Sequence, residues 1–222
     1  MRDEPGSRAE FVVGVAGPSG AGKSLVAELL SGLHAGRAAV LHEDAYCRDQ
    51  SHVPWPERAD VNMDHPEAID HALLAAHIAA LRQGPAVASP RYDYATFSRL
   101  PGAAPVAPRP LLVVEGLLVL SSDLVRGALD LGVYVDAPLD LCLHRRLTRD
   151  AAGRGLGVAH TLRQYPRTIR SMYTRFVEPS RIRADVVLSN DGTEHDLRAA
   201  VARLQTMVRA AWAAERRTER AS

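Results

Sequence analysis

The sequence predicts an α/β fold in which a mostly parallel β-sheet is flanked by helices on both faces. Residues 11–16 and 111–115 form short apolar runs of the kind found in strands that are buried on both faces. Between such runs lie longer segments in which apolar residues recur at helical spacing. This alternation is typical of parallel sheets, because the chain has to cross over the sheet between neighbouring strands.

The predicted elements follow one another along most of the chain. Strands are expected at residues 11–16, 38–42, 111–115, 131–136 and 185–189, and helices at 24–34 and from near residues 138, 159 and 194. A further helix is expected to be capped by Asp64, with Pro66 in its first turn. It should run to about Gln83, where Gly84 ends it. Residues 101–110 contain four prolines and are predicted to form a loop.

The carboxyl ends of these strands mark the place where a ligand is expected. In open parallel sheets the strands end at the same edge, and ligands bind in the crevice beyond that edge. The residues that follow Ala16, His42, Val114 and Asp136 are therefore expected to surround one crevice.

Length and composition restrict the class of protein. The chain has 222 residues, which suggests a single domain over residues 1–222, and its net charge of +1 argues against a nucleic-acid or membrane partner. Its two cysteines, Cys47 and Cys142, have no zinc-module spacing. Residues 1–10 lack the apolar segment of a signal peptide, and the most apolar run, residues 111–120, is too short to span a bilayer. We therefore expect a cytoplasmic protein.

A phosphate-binding motif follows the first strand. Residues 17–24 fit the pattern G-x-x-x-x-G-K-[ST], with a strand before them and a helix after them. Glycines let backbone amides turn toward phosphate oxygens, and the helix N-terminus adds partial positive charge. Lys23, the only lysine in the chain, can reach the β- and γ-phosphates, and Ser24 can offer its hydroxyl to Mg²⁺. The residues predicted to bind a nucleoside triphosphate are Gly17, Pro18, Ser19, Gly20, Ala21, Gly22, Lys23, Ser24 and Leu25.

Two acids at the ends of predicted strands are candidates for chemistry in this crevice. Asp44 lies just past the strand at 38–42, where its carboxylate could accept the proton of an attacking hydroxyl and help to hold a metal ion. Glu115 ends a very apolar strand, and a buried ionised group is costly unless it is paired or near a cation. The ordinary structural alternative is that either acid caps a loop or a nearby amide.

Several segments beyond the phosphate loop carry a family resemblance. They are residues 44–46 (DAY), 62–70 (NMDHPEAID), 90–94 (PRYDY), 113–118 (VVEGLL), 145–150 (RRLTRD), 164–165 (QY) and 184–187 (ADVV). With the loop, they resemble the uridine kinases (uridine–cytidine kinases), which are small P-loop kinases, from about residue 11 to residue 190. The segment at 64–68 is the most discriminating, because many NTPases share the phosphate loop.

The resemblance implies a P-loop kinase fold with a small lid at about residues 149–160 and an acceptor-side region at about residues 44–100. It also implies that ATP and Mg²⁺ are used. For the reaction itself, the resemblance implies that Asp44 is the catalytic base and that Ser24, Asp44 and Glu115 lie on the metal side. For the acceptor, it implies that Asp64, Arg146 and Gln164 contact the ribose hydroxyls and that Tyr92 lies beside the nucleobase. For the donor, it implies that Lys23, Arg149 and Arg154 contact the ATP phosphates. The arginines have an ordinary explanation as well, which is a solvated helix face with pairs such as Arg146 and Asp150.

The chain departs from the family at two positions that read the base. Phe97 stands where the family has a histidine, and Leu156 stands where it has an arginine. Neither side chain can form a hydrogen bond with a base edge, although Phe97 is still expected to contact the substrate. Uridine or cytidine stays the first expectation for the acceptor. The alternative is a different small hydroxyl compound, such as a modified nucleoside, a sugar phosphate or a vitamin precursor.

The expected activity is ATP-dependent transfer of a phosphoryl group to a primary hydroxyl, the 5′-hydroxyl of a nucleoside. A different class of function is an NTP-dependent regulator without a small acceptor. It ranks below both kinases, because a regulator has little use for acids at positions 44 and 64 or for an arginine-rich lid. Relatives of this fold often self-associate, and the sequence leaves homo-oligomer formation open.

Overall fold

The β-strands of the protein are seen in a computed structural model that describes residues 8–34, 36–54, 57–153 and 158–221. Within these ranges the strands are β1 (Phe11–Ala16), β2 (Ala38–His42), β3 (Val87–Asp93), β4 (Ser98–Val106), β5 (Leu111–Glu115), β6 (Leu131–Asp136) and β7 (Val186–Ser189). Five of them form one sheet in the order β2-β5-β1-β6-β7, and all neighbouring strands in it are parallel. The predicted α/β class with a parallel sheet is confirmed.

The helices also lie close to the predicted positions. They are α1 (Lys23–Gly32), α2 (His71–Gln83), α3 (Asp123–Arg126), α4 (Leu139–Gly153), α5 (Val158–Gln164), α6 (Arg170–Met172) and α7 (Glu194–Ala221). Short 3₁₀ helices cover Glu43–Tyr46, Glu57–Asp60, Pro66–Ala68 and Glu178–Arg183, and π-helical turns cover Tyr165–Ile169 and Tyr173–Val177. Across the described ranges, we find no helix with both the length and the apolar character needed to cross a bilayer.

Each face of the sheet carries its own hydrophobic core, and different helices cover the two faces. α1 and α7 pack on one face through buried side chains such as Leu30 and Leu204. α2 and α3 pack on the other face through side chains such as Leu74 and Val125. β1 contributes residues to both cores, because successive side chains of a strand point to opposite faces. The predicted arrangement of helices on both faces is confirmed.

The second long helix begins later than predicted, so the prediction that Asp64 caps it is wrong. α2 is capped by Asp70, whose Oδ1 accepts a hydrogen bond from the Leu73 amide at 3.2 Å. Just before this cap, the extended residue Ile69 forms a β-bridge with Cys47. The bridge holds the chain out of the helical conformation. Asp64 therefore lies before α2, in a segment that lines the cavity described below.

The prediction of a loop at residues 101–110 is also wrong, because most of this stretch belongs to a hairpin. β4 pairs with β3 in antiparallel fashion, from Val87 opposite Val106 to Asp93 opposite Ser98. In the described part of the chain these strands form a sheet of two, so each has an edge without a neighbouring strand. Proline is tolerated on such an edge, because the N–H that it lacks would not meet a partner.

The buried side chain of Asn190 holds the loop after β1 in place through a hydrogen bond. This buried side chain donates a hydrogen bond from Nδ2 to the Ala21 carbonyl oxygen at 2.6 Å. The Asn190 amide donates to the carbonyl oxygen of Asp136, at the end of β6, at 2.7 Å. Arg145 of α4 adds hydrogen bonds from Nη1 to the carbonyl oxygens of Gly20 (3.5 Å) and Asn190 (3.4 Å). The shape of the loop is therefore tied to β6 and α4.

Replacing Asn190 by alanine should destabilise the protein. The Ala21 carbonyl oxygen loses its buried side-chain donor, and a loss of that kind costs about 1–3 kcal/mol. Urea denaturation followed by circular dichroism measures the change. Asp191→Ala, at the exposed neighbouring position, is the matched control and should change the free energy of unfolding by less than about 0.5 kcal/mol. Equal stability of Asn190→Ala and the wild type would show that this bond does not hold the loop.

Candidate active site

A cavity opens at the carboxyl ends of β1, β2 and β5, with an empty volume of about 980 Å³ that includes space open to solvent. Its wall is formed by the loop after β1, the turn after β2, the end of β5, side chains of α4, α5 and the π-helical turn after α5, and segments within residues 61–97. Of the residues predicted for the site, those in the wall are Ser19, Lys23, Ser24, Asp44, Asp64, Phe97, Glu115, Arg146, Arg149 and Gln164. The cavity therefore lies at three of the four strand ends where the sequence places the crevice, and the residues directly after Asp136 are not in its wall.

The loop after β1 has the shape that phosphate binding requires. Gly17, Gly20 and Gly22 have φ angles of 143°, 89° and 96°, which residues with a side chain rarely adopt. A Cβ at Gly20 would also collide with the carbonyl oxygen of Cys142 in α4. Gly22 is the N-cap of α1, and no side chain caps this helix N-terminus. The first amides of α1 are thus left for an external anion such as a phosphate group.

Lys23 lies in the wall of the cavity, close to acidic residues. Its Nζ donates a hydrogen bond to the Pro18 carbonyl oxygen at 3.1 Å, so the side chain folds back over the loop. Burial lowers the pKa of the Lys23 ammonium group, and the nearby carboxylates of Glu115 and Asp44 oppose this effect. A cation for phosphate and a carboxylate for a hydroxyl proton are therefore present in one cavity.

Glu115 connects the loop after β1 with the end of β2. Its Oε1 accepts a hydrogen bond from Ser24 Oγ at 3.2 Å and lies 2.7 Å from Nδ1 of His42. The hydrogen bond with Glu115 raises the pKa of His42. These contacts place the Ser24 hydroxyl next to the Glu115 carboxylate.

The oxygens of Ser24, Asp44 and Glu115 are of the type that binds Mg²⁺. This ion usually keeps several waters and binds through one or two carboxylates together with substrate phosphates. No cluster of three or more His, Cys, Asp or Glu residues able to hold a metal occurs in the described ranges. The donor types of Ser24, Asp44 and Glu115 match this preference for one or two carboxylates together with other oxygen ligands.

Asp64 and Arg146 form a bidentate ion pair on the acceptor side of the cavity. Arg146 Nη1 lies 3.2 Å from Asp64 Oδ1, and Nη2 lies 3.3 Å from Oδ2. Burial lowers the pKa of Arg146, but Asp64 and Asp150 raise it by more, so the pKa lies above its ordinary value. A carboxylate beside a planar donor suits vicinal hydroxyls, because one group accepts and the other donates hydrogen bonds.

Asp150 holds two arginines of α4 in the cavity wall. Its side chain is 2% exposed, and its oxygens lie 3.4 Å from Arg146 Nε and 2.9 Å from Arg149 Nη2. Thr161 of α5 donates a hydrogen bond to Asp150 Oδ2 at 3.3 Å. Arg149 Nη2 also reaches Ser19 Oγ in the phosphate-binding loop at 3.4 Å. The pair of Arg146 and Asp150 therefore exists, and it is part of the cavity rather than of a solvated helix face.

The outcomes differ for Arg154, Tyr92 and Gln164, which the sequence also predicts for the site. Arg154 lies outside the described residues, as does Leu156. Tyr92 is not part of the cavity wall, and its hydroxyl contacts Sδ of Met63, a wall residue, at 4.0 Å. Gln164 is in the wall, and its Oε1 accepts a hydrogen bond from a threonine hydroxyl of the next helical turn at 2.9 Å. The structure thus brings Gln164, but not Tyr92, directly to the cavity.

Phe97 is in the cavity wall and has an unusual backbone conformation. In the described part of the chain it is the only non-glycine residue with a positive φ angle, at 52°. The side chain is buried and shares the wall with the apolar residues Val61, Met63 and Ile69. A left-handed conformation costs a residue of this kind about 1–2 kcal/mol, and strain of that size is kept mainly at functional sites.

Two buried acids of the cavity wall, Glu43 and Asp150, are not among the site residues predicted from sequence. Glu43 is 1% exposed, and this burial raises the pKa of its carboxyl group. A sequence signal exists for each: Glu43 directly precedes Asp44, and Asp150 lies four residues after Arg146. Neither signal distinguishes a buried acid from a solvated one, because burial depends on contacts with distant segments.

Sequence similarity to one family extends over most of the chain. Residues 12–195 match the Phosphoribulokinase / Uridine kinase family. The chain belongs to this family. A uridine kinase of Aeromonas hydrophila is 43% identical over 186 residues, which cover 82% of this chain and 87% of that protein. A uridine kinase of Tolumonas auensis is 39% identical over 203 residues, which cover 89% of this chain and 94% of that protein.

The fold of this family is also found at lower sequence identity. A structure from Bacillus stearothermophilus, described as a possible uridine kinase, matches with a TM-score of 0.57 at 18% identity. The match covers 85% of this chain and 91% of that chain. The family resemblance and the P-loop kinase fold that the sequence motifs predict are therefore confirmed.

Replacing Asp150 by alanine should destabilise the protein, because Arg146 then loses one of its two carboxylate partners and Thr161 loses its acceptor. Arg146 keeps Asp64, so the expected cost is about 1–3 kcal/mol, which is typical of a buried polar group that loses a partner. Urea titration measures the free energy of unfolding. Asp140→Ala, at an exposed position in the first turn of α4, is the control and should lose less than about 1 kcal/mol. An equally small loss for Asp150→Ala would mean that other contacts hold the two arginines.

Proposed function

We propose that this protein is an ATP-dependent kinase that phosphorylates the 5′-hydroxyl of a nucleoside, with uridine or cytidine as the acceptor. The observation that carries the proposal is that Lys23, Asp44 and the Asp64–Arg146 ion pair line one cavity. The uridine kinases of Aeromonas hydrophila and Tolumonas auensis, at 43% and 39% identity, support the same activity. An NTP-dependent regulator has no use for an ion pair suited to vicinal hydroxyls.

The phosphate-binding loop is the proposed site of the ATP triphosphate. Its amides and the N-terminus of α1 bind phosphate oxygens, and Lys23 exchanges the Pro18 carbonyl oxygen for a phosphate partner. Ser24, Asp44 and Glu115 are the residues that would hold Mg²⁺. When bound, that ion neutralises phosphate charge during transfer.

Asp44 is the proposed general base. Its carboxylate takes the proton of the 5′-hydroxyl as that oxygen bonds to the γ-phosphorus. The bond between the γ-phosphorus and the β,γ-bridging oxygen breaks, and ADP leaves. Asp64, Arg146 and Gln164 hold the ribose hydroxyls, which keeps the reacting oxygen close to Asp44.

The lid arginines are proposed to stabilise the transferring phosphoryl group. Arg149 already reaches Ser19 of the loop, so a small movement brings its guanidinium to the phosphates. Arg154, as a second lid arginine, and Tyr92, as a neighbour of the base, remain predictions from the sequence. So do the cytoplasmic location and the lack of nucleic-acid and membrane partners, and homo-oligomer formation stays open.

A second candidate function, within the same class, is a kinase for another small hydroxyl compound. It is favoured by the apolar side chains of Phe97, Val61, Met63 and Ile69 in the cavity wall. These side chains select an acceptor by shape and apolar contact rather than by hydrogen bonds to a base edge. A modified nucleoside, a sugar phosphate or a vitamin precursor would then be the acceptor.

The variant Asp44→Asn should lower kcat by about 10²–10⁴, because an amide cannot take the hydroxyl proton. Coupled measurement of ADP release at saturating ATP and nucleoside gives kcat. Asp60→Asn, at an exposed position, is the matched control and should keep kcat within about twofold. Near-wild-type turnover by a correctly folded Asp44→Asn protein would remove Asp44 from the mechanism.

A screen of acceptors should identify the substrate class. With ATP and Mg²⁺, uridine or cytidine should release ADP faster than purine nucleosides, sugar phosphates and vitamin precursors. Radiolabelled phosphate should appear on the 5′-oxygen, since this is the hydroxyl that the ribose contacts would aim at Asp44. If uridine and cytidine both fail while another alcohol is turned over, the second candidate function replaces the first.

A further inference from the structure

Glu43 is a buried acid in the cavity wall to which the mechanism above assigns no role. It directly precedes Asp44 in the 3₁₀ turn Glu43–Tyr46, and its side chain is 1% exposed. Carboxylates are rarely buried to this degree unless hydrogen bonds or charges compensate for the loss of water. The question is therefore what the buried carboxylate contacts.

The two oxygens of Glu43 contact two different segments of the chain. Oε2 accepts a hydrogen bond from the Leu118 amide, in the turn after β5, at 2.8 Å. Oε1 lies 3.2 Å from Nε2 of His71, the first residue of α2. One side chain therefore connects the end of β2 with the turn after β5 and with the start of the acceptor-side helix.

The turn after β5 has room for this side chain only because residue 116 is glycine. A Cβ at Gly116 would collide with both Cβ and Oε2 of Glu43. The Gly116 amide donates to the Val15 carbonyl oxygen at 3.0 Å, so the turn is also bonded to β1. The carboxylate of Glu43 thus rests against a turn that is itself held by the central strand.

These contacts fix the part of the backbone that carries Asp44. The Tyr94 hydroxyl adds another contact to this turn, because it donates a hydrogen bond to the Asp44 carbonyl oxygen at 3.2 Å. Glu115, which contacts Ser24, precedes the turn that Glu43 holds. Glu43 therefore sets the position of the proposed base relative to the loop and to the end of β5.

We propose that Glu43 is a positioning residue, which holds Asp44 at the geometry needed for phosphoryl transfer through its contacts with Leu118 and His71. The proposal rests on the proposed function in one respect, the role of Asp44 as base. Glu43 itself does not act on the substrate, because both of its oxygens bind protein groups. Displacing a reacting group by about 1 Å is enough to lower a rate by about 10²-fold.

The test compares Glu43→Ala with Glu43→Gln, using steady-state kinetics with ATP and the preferred nucleoside. Glu43→Ala removes both contacts and should lower kcat by about 10²-fold, with both KM values within about threefold of wild type. Glu43→Gln should keep kcat within about threefold, because its amide oxygen can accept from Leu118 and its amide N–H can donate to His71. Glu67→Ala, whose side chain is 92% exposed, is the matched control and should behave as wild type.

Circular dichroism and urea denaturation show whether each variant is folded. If Glu43→Ala does not fold, Gly116→Ala replaces it in the test, because the added methyl group displaces the Glu43 side chain without removing it. It should lower kcat in the same way and leave the nucleoside KM within about threefold of wild type.

Three results would overturn the proposal. One is an unchanged kcat in Glu43→Ala or Gly116→Ala. Another is a loss in Glu43→Gln as large as in Glu43→Ala, since the charge itself would then be required. The third is a nucleoside KM that rises as much as kcat falls, since the variant would then have damaged the acceptor pocket. Failure of the proposed function is distinguishable, because in that case the wild-type protein does not phosphorylate nucleosides or Asp44→Asn is fully active.

Discussion

The parallel register of β2, β5 and β1 is the constraint on which the rest of the site depends. Glu115 lies beside Val15 of β1 on one side and beside His42 of β2 on the other. The phosphate-binding loop and the segment that carries Asp44 both begin within two residues of this row. Backbone hydrogen bonds between the strands hold the row in place. Groups from distant parts of the sequence therefore reach the same edge of the sheet.

Most of the charged groups in the cavity have protein partners. Arg146 lies between Asp64 and Asp150, and Glu115 contacts both Ser24 and His42. Pairing of this kind compensates for the cost of burying charge. Lys23 differs, because its hydrogen bond goes to a neutral carbonyl oxygen of its own loop. A phosphate group offers this ammonium a charged acceptor and hence a stronger hydrogen bond.

The features that the sequence predicts are those that depend on neighbouring residues. The strands of the main sheet and the phosphate-binding loop follow from apolar runs and from one motif. The start of α2 could not be predicted, because Ile69 is held extended by Cys47, a residue far back in the sequence. β4 was not predicted, because its prolines favour a loop. Proline is compatible with a strand whose edge has no neighbour, and the sequence does not show which strands have such an edge. Glu43 and Asp150 were not predicted as site residues, because the segments that bury them come together only in the folded chain.

The hairpin of β3 and β4 is built apart from the main sheet, yet it supplies Tyr94 and Phe97 to the cavity wall. β1, β2 and β5, whose carboxyl ends also border the cavity, do not pair with it. A substitution at Phe97 can therefore reshape one part of the wall, whereas a substitution at Tyr94 also removes a hydrogen bond to the Asp44 carbonyl oxygen. The shape of the cavity near Phe97 is thus set by a peripheral ribbon, whose residues can vary without changing the strand pairing of the main sheet.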